Sequence, residues 1–89
     1  MPNNKIKVGV IGAGAWGTTI AELLSKNNTE VLLWAKEKSI SQSINFKKIN
    51  NIYLPGIKLS KKIKATSELK DFKNTDFLFV VIPVQFASN

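Results

Sequence analysis

Eighty-nine residues suffice for one small domain or one piece of a larger one, and exclude a two-domain enzyme, because domains usually run to ~100–150 residues. A hydrophobic fraction of 44% excludes a disordered tail, and the lack of cysteine and histidine excludes disulfides, cysteine-bound metals and the commonest general base. The net charge of +7 rests on thirteen lysines and no arginine, whereas base-edge and phosphate recognition usually draw on the guanidinium fork, so a nucleic-acid partner is not expected.

The chain starts Met-Pro-Asn-Asn, without the basic and then apolar pattern of a secretory signal. No apolar run approaches the ~20 residues that span a bilayer, which makes a soluble cytoplasmic protein the expectation. Ile6, Val8, Val10 and Ile11 form a β-branched run that predicts a first strand ending at Gly12. Gly12, Gly14 and Gly17 then fall at G-x-G-x-x-G spacing. In a strand-turn-helix context each has a distinct task. Gly12 permits the sharp turn, Gly14 lets backbone approach a pyrophosphate, and Gly17 lets the helix lie close to the strand. The helix N-terminus adds unpaired N–H groups and a partial positive charge, the combination that holds phosphates.

A helix is predicted from Thr18 to Asn27, with Ile20, Leu23 and Leu24 as the stripe facing a sheet and Asn27-Asn28 as its stop. Glu30–Trp34 is nearly all apolar, as expected for a parallel strand covered on both faces. Its carboxyl end is where an acidic residue would accept hydrogen bonds from the adenosine ribose and favour NAD. Lys36 stands there instead and suits the 2′-phosphate of NADP, while Glu37 beside it keeps NAD use open.

Ile40 and Ile44 suit one face of a short helix, and Tyr53-Leu54-Pro55-Gly56 reads as a turn. Lys58, Lys61, Lys62 and Lys64 form the densest basic cluster, read as a solvated loop and strand start. Ile63–Thr66 is a third strand, Ser67 caps a short helix over Glu68–Lys73, and Phe77–Ile82 is a fully apolar fourth strand that Pro83 ends. Asp71 and Asp76 lack a paired base or metal-ligand spacing and read as surface charges, so no metal site is expected.

The pattern β-α-β-α-β-α-β predicts an α/β fold: a truncated Rossmann-type parallel sheet of four strands, in order 3-2-1-4, with helices on both faces. Strand four then lies at a sheet edge although it is the most apolar segment. That predicts a piece of a longer protein, or an excised domain, that is marginally stable or protected by self-association as a homo-oligomer.

Gly12-Ala13-Gly14-Ala15-Trp16-Gly17-Thr18, Leu33-Trp34-Ala35-Lys36, Asn51 with Tyr53-Leu54-Pro55-Gly56, and Val81-Ile82-Pro83-Val84-Gln85 occur in order across nearly the whole chain. Together they resemble the N-terminal region of the bacterial type of NAD(P)-dependent glycerol-3-phosphate dehydrogenase. The resemblance implies a cytoplasmic enzyme of phospholipid precursor synthesis that reduces dihydroxyacetone phosphate to sn-glycerol 3-phosphate with NADPH or NADH. It implies cofactor contacts at Gly12, Gly14, Ala15, Trp16, Gly17, Lys36 and Tyr53, with Pro83, Val84 and Gln85 on the nicotinamide side. Trp16 also reads as an apolar plug, Trp34 as core, and Tyr53 as a turn-packing residue.

By the same resemblance, residues 1–89 form the N-terminal part of a dinucleotide-binding domain. The catalytic lysine and the helical substrate domain lie beyond it. No residue here is then catalytic, and the chain alone is expected to be inactive. Two other readings share the glycine turn: the cofactor domain of a β-hydroxyacid or ketopantoate type dehydrogenase, against which the Tyr-Leu-Pro-Gly segment argues, and a non-catalytic nucleotide-binding module.

Overall fold

The computed structural model describes residues 6–12, 14–26 and 29–81. Four strands form one parallel sheet: β1 (Lys7–Ile11), β2 (Glu30–Trp34), β3 (Ile63–Thr66) and β4 (Phe77–Val80), in the order β3-β2-β1-β4. Two α-helices, α1 (Ala15–Leu24) and α2 (Lys38–Lys47), make the first two crossovers, and a short 3-10 turn at Leu69–Phe72 lies in the third. The predicted fold class and strand order are therefore the observed ones.

Period-two alternation fixes which side chains meet which helices. In register, Val8 lies beside Val31 and Val31 beside Ile63; Val10 likewise lies beside Leu33 and Leu33 beside Ala65. These six residues are buried and cluster with Ala21 of α1 and with Ile40 and Ile44 of α2. That face therefore holds the main apolar core. On the opposite face the chain has a glycine where a side chain would collide. A Cβ on Gly9 would lie 2.6 Å from the Phe72 ring and 2.8 Å from Leu78, so the strand-interior glycine makes room for the 3-10 turn to sit down on β1.

Helix α1 starts three residues before the predicted Thr18 and ends at Leu24; Asn27 and Asn28 lie outside the described residues. The predicted inner stripe is also corrected. Gly17, Thr18 and Ala21 are buried and Ile20 and Leu24 half-buried, whereas Leu23 is exposed. The cause is Gly17, whose Cα lies against the Gly12 carbonyl and so fixes the helix rotation. At roughly 100° per residue, Leu23 falls about 120° round from Gly17, off the sheet-facing side.

Ser67 caps nothing. Instead the Thr66 hydroxyl accepts from the Glu68 amide at 3.0 Å and donates to the Asp71 carboxylate at 2.6 Å. Asp76 accepts from the Lys7 amide at 2.9 Å and so ties the start of β4 to the start of β1.

The two sheet edges are treated differently. Along the outer edge of β3, the Asn45 amide donates to the Ala65 carbonyl at 2.8 Å and accepts from the Ala65 N–H at 2.7 Å, replacing a neighbouring strand. The Lys48 ammonium donates to the Ile63 carbonyl at 3.0 Å. Among the described residues β4 borders β1 alone, and its four side chains are between 45% and 59% exposed. The deep burial that an all-apolar strand implies is not made among the described residues.

Candidate functional site

The carboxyl ends of β1 and β2 converge on the glycine turn, where the Gly12 amide donates to the Trp34 carbonyl at 3.3 Å. The three motif glycines serve three different ends. Gly12 has φ +118°, a left-handed conformation that a side chain strongly disfavours, and a Cβ there would meet the Val81 carbonyl oxygen at 2.8 Å. At Gly17 a Cβ would lie 1.5 Å from the Gly12 carbonyl oxygen, a distance no repacking accommodates. Gly14 differs from both. Its backbone, at φ −69° and ψ −174°, is extended and open to any residue, and a Cβ there would meet nothing within 4 Å. Space above Gly14, rather than strain or crowding, is what that glycine preserves.

Gly14 is also the N-cap of α1. It offers no side chain to the helix, and the first turn holds no acidic residue. The leading N–H groups of an α-helix have no intrahelical acceptor, so the first turn directs donors and the positive end of the helix dipole into the open space. The first internal bond runs from the Thr18 amide to the Gly14 carbonyl at 2.9 Å. A pyrophosphate fits this arrangement because it needs close backbone approach and several N–H donors, with no competing carboxylate.

Trp16 is 76% exposed on that first turn. It plugs no gap among the described residues. Lys36 is exposed just beyond the end of β2, one residue past the buried Ala35, whose amide donates to the Thr66 carbonyl at 2.9 Å. Ala15 is exposed as well. Tyr53 sits on a turn closed by a 2.7 Å bond from the Leu54 amide to the Asn50 carbonyl, with Gly56 at φ +80° completing it. Tyr53 is 43% exposed, and Leu54 is the turn residue that packs on the core. Trp34 is half-buried, with its indole nitrogen enclosed. Pro83, Val84 and Gln85 lie outside the described residues.

Neither Thr18 nor Asn50 is among the residues expected at the site. Both are fully or almost fully buried, and the Asn50 side-chain amide donates to the Thr18 hydroxyl at 2.9 Å. The available signal was Thr18 itself, a polar residue one position past Gly17 on the sheet-facing side of α1, where a hydroxyl needs a partner.

The basic cluster is at the other end of the sheet. Lys61, Lys62 and Lys64 line a cavity of about 350 Å³ with Lys7, Glu30 and Asp71, at the amino ends of the strands. Acids and lysines share it, consistent with a solvated strand start. Among the described residues, no group of three or more acidic side chains is placed to hold a metal ion, and no helix is long and apolar enough to cross a membrane.

The family model described as NAD-dependent glycerol-3-phosphate dehydrogenase N-terminus matches residues 7–89. The chain belongs to this family. It is 43% identical over 79 residues to the glycerol-3-phosphate dehydrogenase [NAD(P)+] of Erythrobacter litoralis, covering 89% of this chain and 24% of that protein. The Novosphingobium aromaticivorans protein of the same name is 44% identical over 79 residues. Among solved structures, glycerol-3-phosphate dehydrogenase from Coxiella burnetii superposes with a TM-score of 0.80 at 30% identity, over 89% of this chain and 25% of that one. The Saccharomyces cerevisiae enzyme gives 0.81 at 34% identity, over 90% and 27%. The chain thus spans about a quarter of the length of the relatives it matches.

Proposed function

We propose that this chain binds NADP(H) or NAD(H) across the carboxyl ends of β1 and β2, as the N-terminal part of the cofactor domain of a glycerol-3-phosphate dehydrogenase. The observation that carries this reading is Gly14: an uncapped helix N-terminus with open space where a Cβ would stand. The Ala15, Trp16 and Gly17 amides donate to the pyrophosphate, and Gly12 and Gly17 hold the turn in the shape that aims them. Ala15 brings no hydroxyl, so its contribution is its backbone N–H alone. The exposed Trp16 ring and Tyr53 flank the dinucleotide. Lys36 meets the adenosine ribose or its 2′-phosphate.

Bound there, the nicotinamide supplies the hydride. This chain's residues orient it, and none of them transfers a proton. In the longer enzyme the proposed reaction is reduction of dihydroxyacetone phosphate to sn-glycerol 3-phosphate in the cytoplasm, with substrate contacts and the catalytic lysine supplied by the remainder of the polypeptide. The chain alone is then inactive.

Titration with NADPH and, separately, NADH tests the reading through tryptophan emission, from Trp16 and Trp34 together, and energy transfer to the reduced nicotinamide. Saturable quenching is expected, tighter for NADPH. A folded sample that gives no quenching with either cofactor contradicts it.

A further inference from the structure

We propose that Asn50 is a positioning residue for the glycine turn. Its bond to Thr18 makes the Tyr53 turn and the first turn of α1 order as one unit, so that the two sides of the cradle are set together. The inference rests on the dinucleotide reading for its purpose, but the coupling itself is a property of the unliganded chain.

Among the described residues, hydrogen bonds fasten the excursion between α2 and β3 at its base, on its return limb and near its tip. At its base, the Leu59 amide donates to the Lys48 carbonyl at 2.7 Å and closes the loop on itself. On the return limb, the Ser60 amide donates to the Glu22 carboxylate at 2.9 Å, which fastens that limb to the later part of α1. Near the tip, Asn50 uses both ends. Its carbonyl accepts from the Leu54 amide at 2.7 Å and closes the turn that carries Tyr53, while its side-chain amide reaches Thr18 at 2.9 Å. Thr18 directly follows Gly17, and its own amide makes the bond to Gly14 that starts the helix.

One side chain thus links the Tyr53 turn to the residue that closes the glycine turn. The other two fastenings remain when it is removed, so its loss loosens the tip, where Leu54 still packs on the core, without opening the base. Exposures of 1% at Asn50 and 0% at Thr18 keep water from substituting for the bond, and a buried donor deprived of its acceptor must find another by moving.

Amide hydrogen exchange on the unliganded chain tests the coupling, with Thr18→Val, which keeps the shape and removes the hydroxyl, and Asn50→Ala as an independent variant. Exchange at the residue 18 and Leu54 amides is expected to accelerate together by about tenfold, the scale of one lost buried hydrogen bond. The Ala65 amide, held by Asn45, should be unchanged, and Thr18→Ser should restore both rates. Acceleration at Leu54 alone, or equal acceleration at all three amides, overturns the coupling.

NADPH titration of the same proteins tests its purpose: about tenfold weaker binding in Thr18→Val and Asn50→Ala, with affinity regained in Thr18→Ser. Unchanged affinity in both variants overturns the positioning role. A wild-type chain that does not bind marks failure of the dinucleotide reading, and the exchange result then decides the coupling by itself.

Discussion

Gly14 and Gly17 stand three residues apart yet predict opposite phenotypes. Substituting Gly17 by Ala places a methyl group on the Gly12 carbonyl, so the helix must leave the strand. Circular dichroism should show a chain with lost helix signal and no cooperative melt. Gly14→Leu adds a side chain in open space at an extended backbone position, so secondary structure should survive while dinucleotide binding disappears. Retained binding in a folded Gly14→Leu protein would mean that the phosphates lie elsewhere. Lys36 belongs to the same scale. Lys36→Ala should weaken NADPH binding by about fivefold and leave NADH nearly unchanged, because only NADPH carries the 2′-phosphate and an exposed cation-phosphate contact contributes on the order of 1 kcal/mol. Equal losses for the two cofactors would make Lys36 a surface residue.

At the scale of elements, the strands were readable because each carries its own pattern: β-branched alternation in β1 and continuous apolar runs in β2 and β4. The bounds of β2 and β3 follow from their flanking polar residues. Helix α1 was less legible, since its rotation is set by a contact between Gly17 and Gly12 rather than by its leucines, and Leu23 consequently faces outward. The Asn45 clamp on β3 was not legible at all. It joins residues twenty positions apart, and nothing in the local pattern around Asn45 marks it. Its predicted effect is definite. Asn45→Ala leaves the Ala65 N–H and carbonyl without their partner and should lower unfolding free energy by about 1–3 kcal/mol, measured by urea titration. It should also expose an edge that the native chain blocks. A stability loss below about 0.5 kcal/mol would show that solvent replaces the clamp at no cost.

For the whole molecule, the glycine turn that follows β1 and the strand order together point to the carboxyl end of the sheet as the proposed site, because a doubly wound sheet leaves its crevice where the strand order reverses, here between β1 and β4. The Asn50–Thr18 link was hidden for the same reason as the Asn45 clamp: it is tertiary. β4 has a consequence at this scale too. Four half-exposed apolar residues along an edge strand should make the 89-residue chain self-associate with rising concentration, and Phe79→Lys should reduce this in sedimentation velocity. A sample that stays monomeric throughout would show that the edge is protected within the chain. The central claim is that the glycine turn, and not the lysine-lined cavity at the opposite end of the sheet, receives the dinucleotide phosphates. Amide chemical-shift mapping during NADPH titration tests it most directly. The largest shifts are expected at Ala15, Trp16 and Gly17, with Lys61, Lys62 and Lys64 nearly still; shifts concentrated on those lysines and absent from the glycine turn would contradict a phosphate site there.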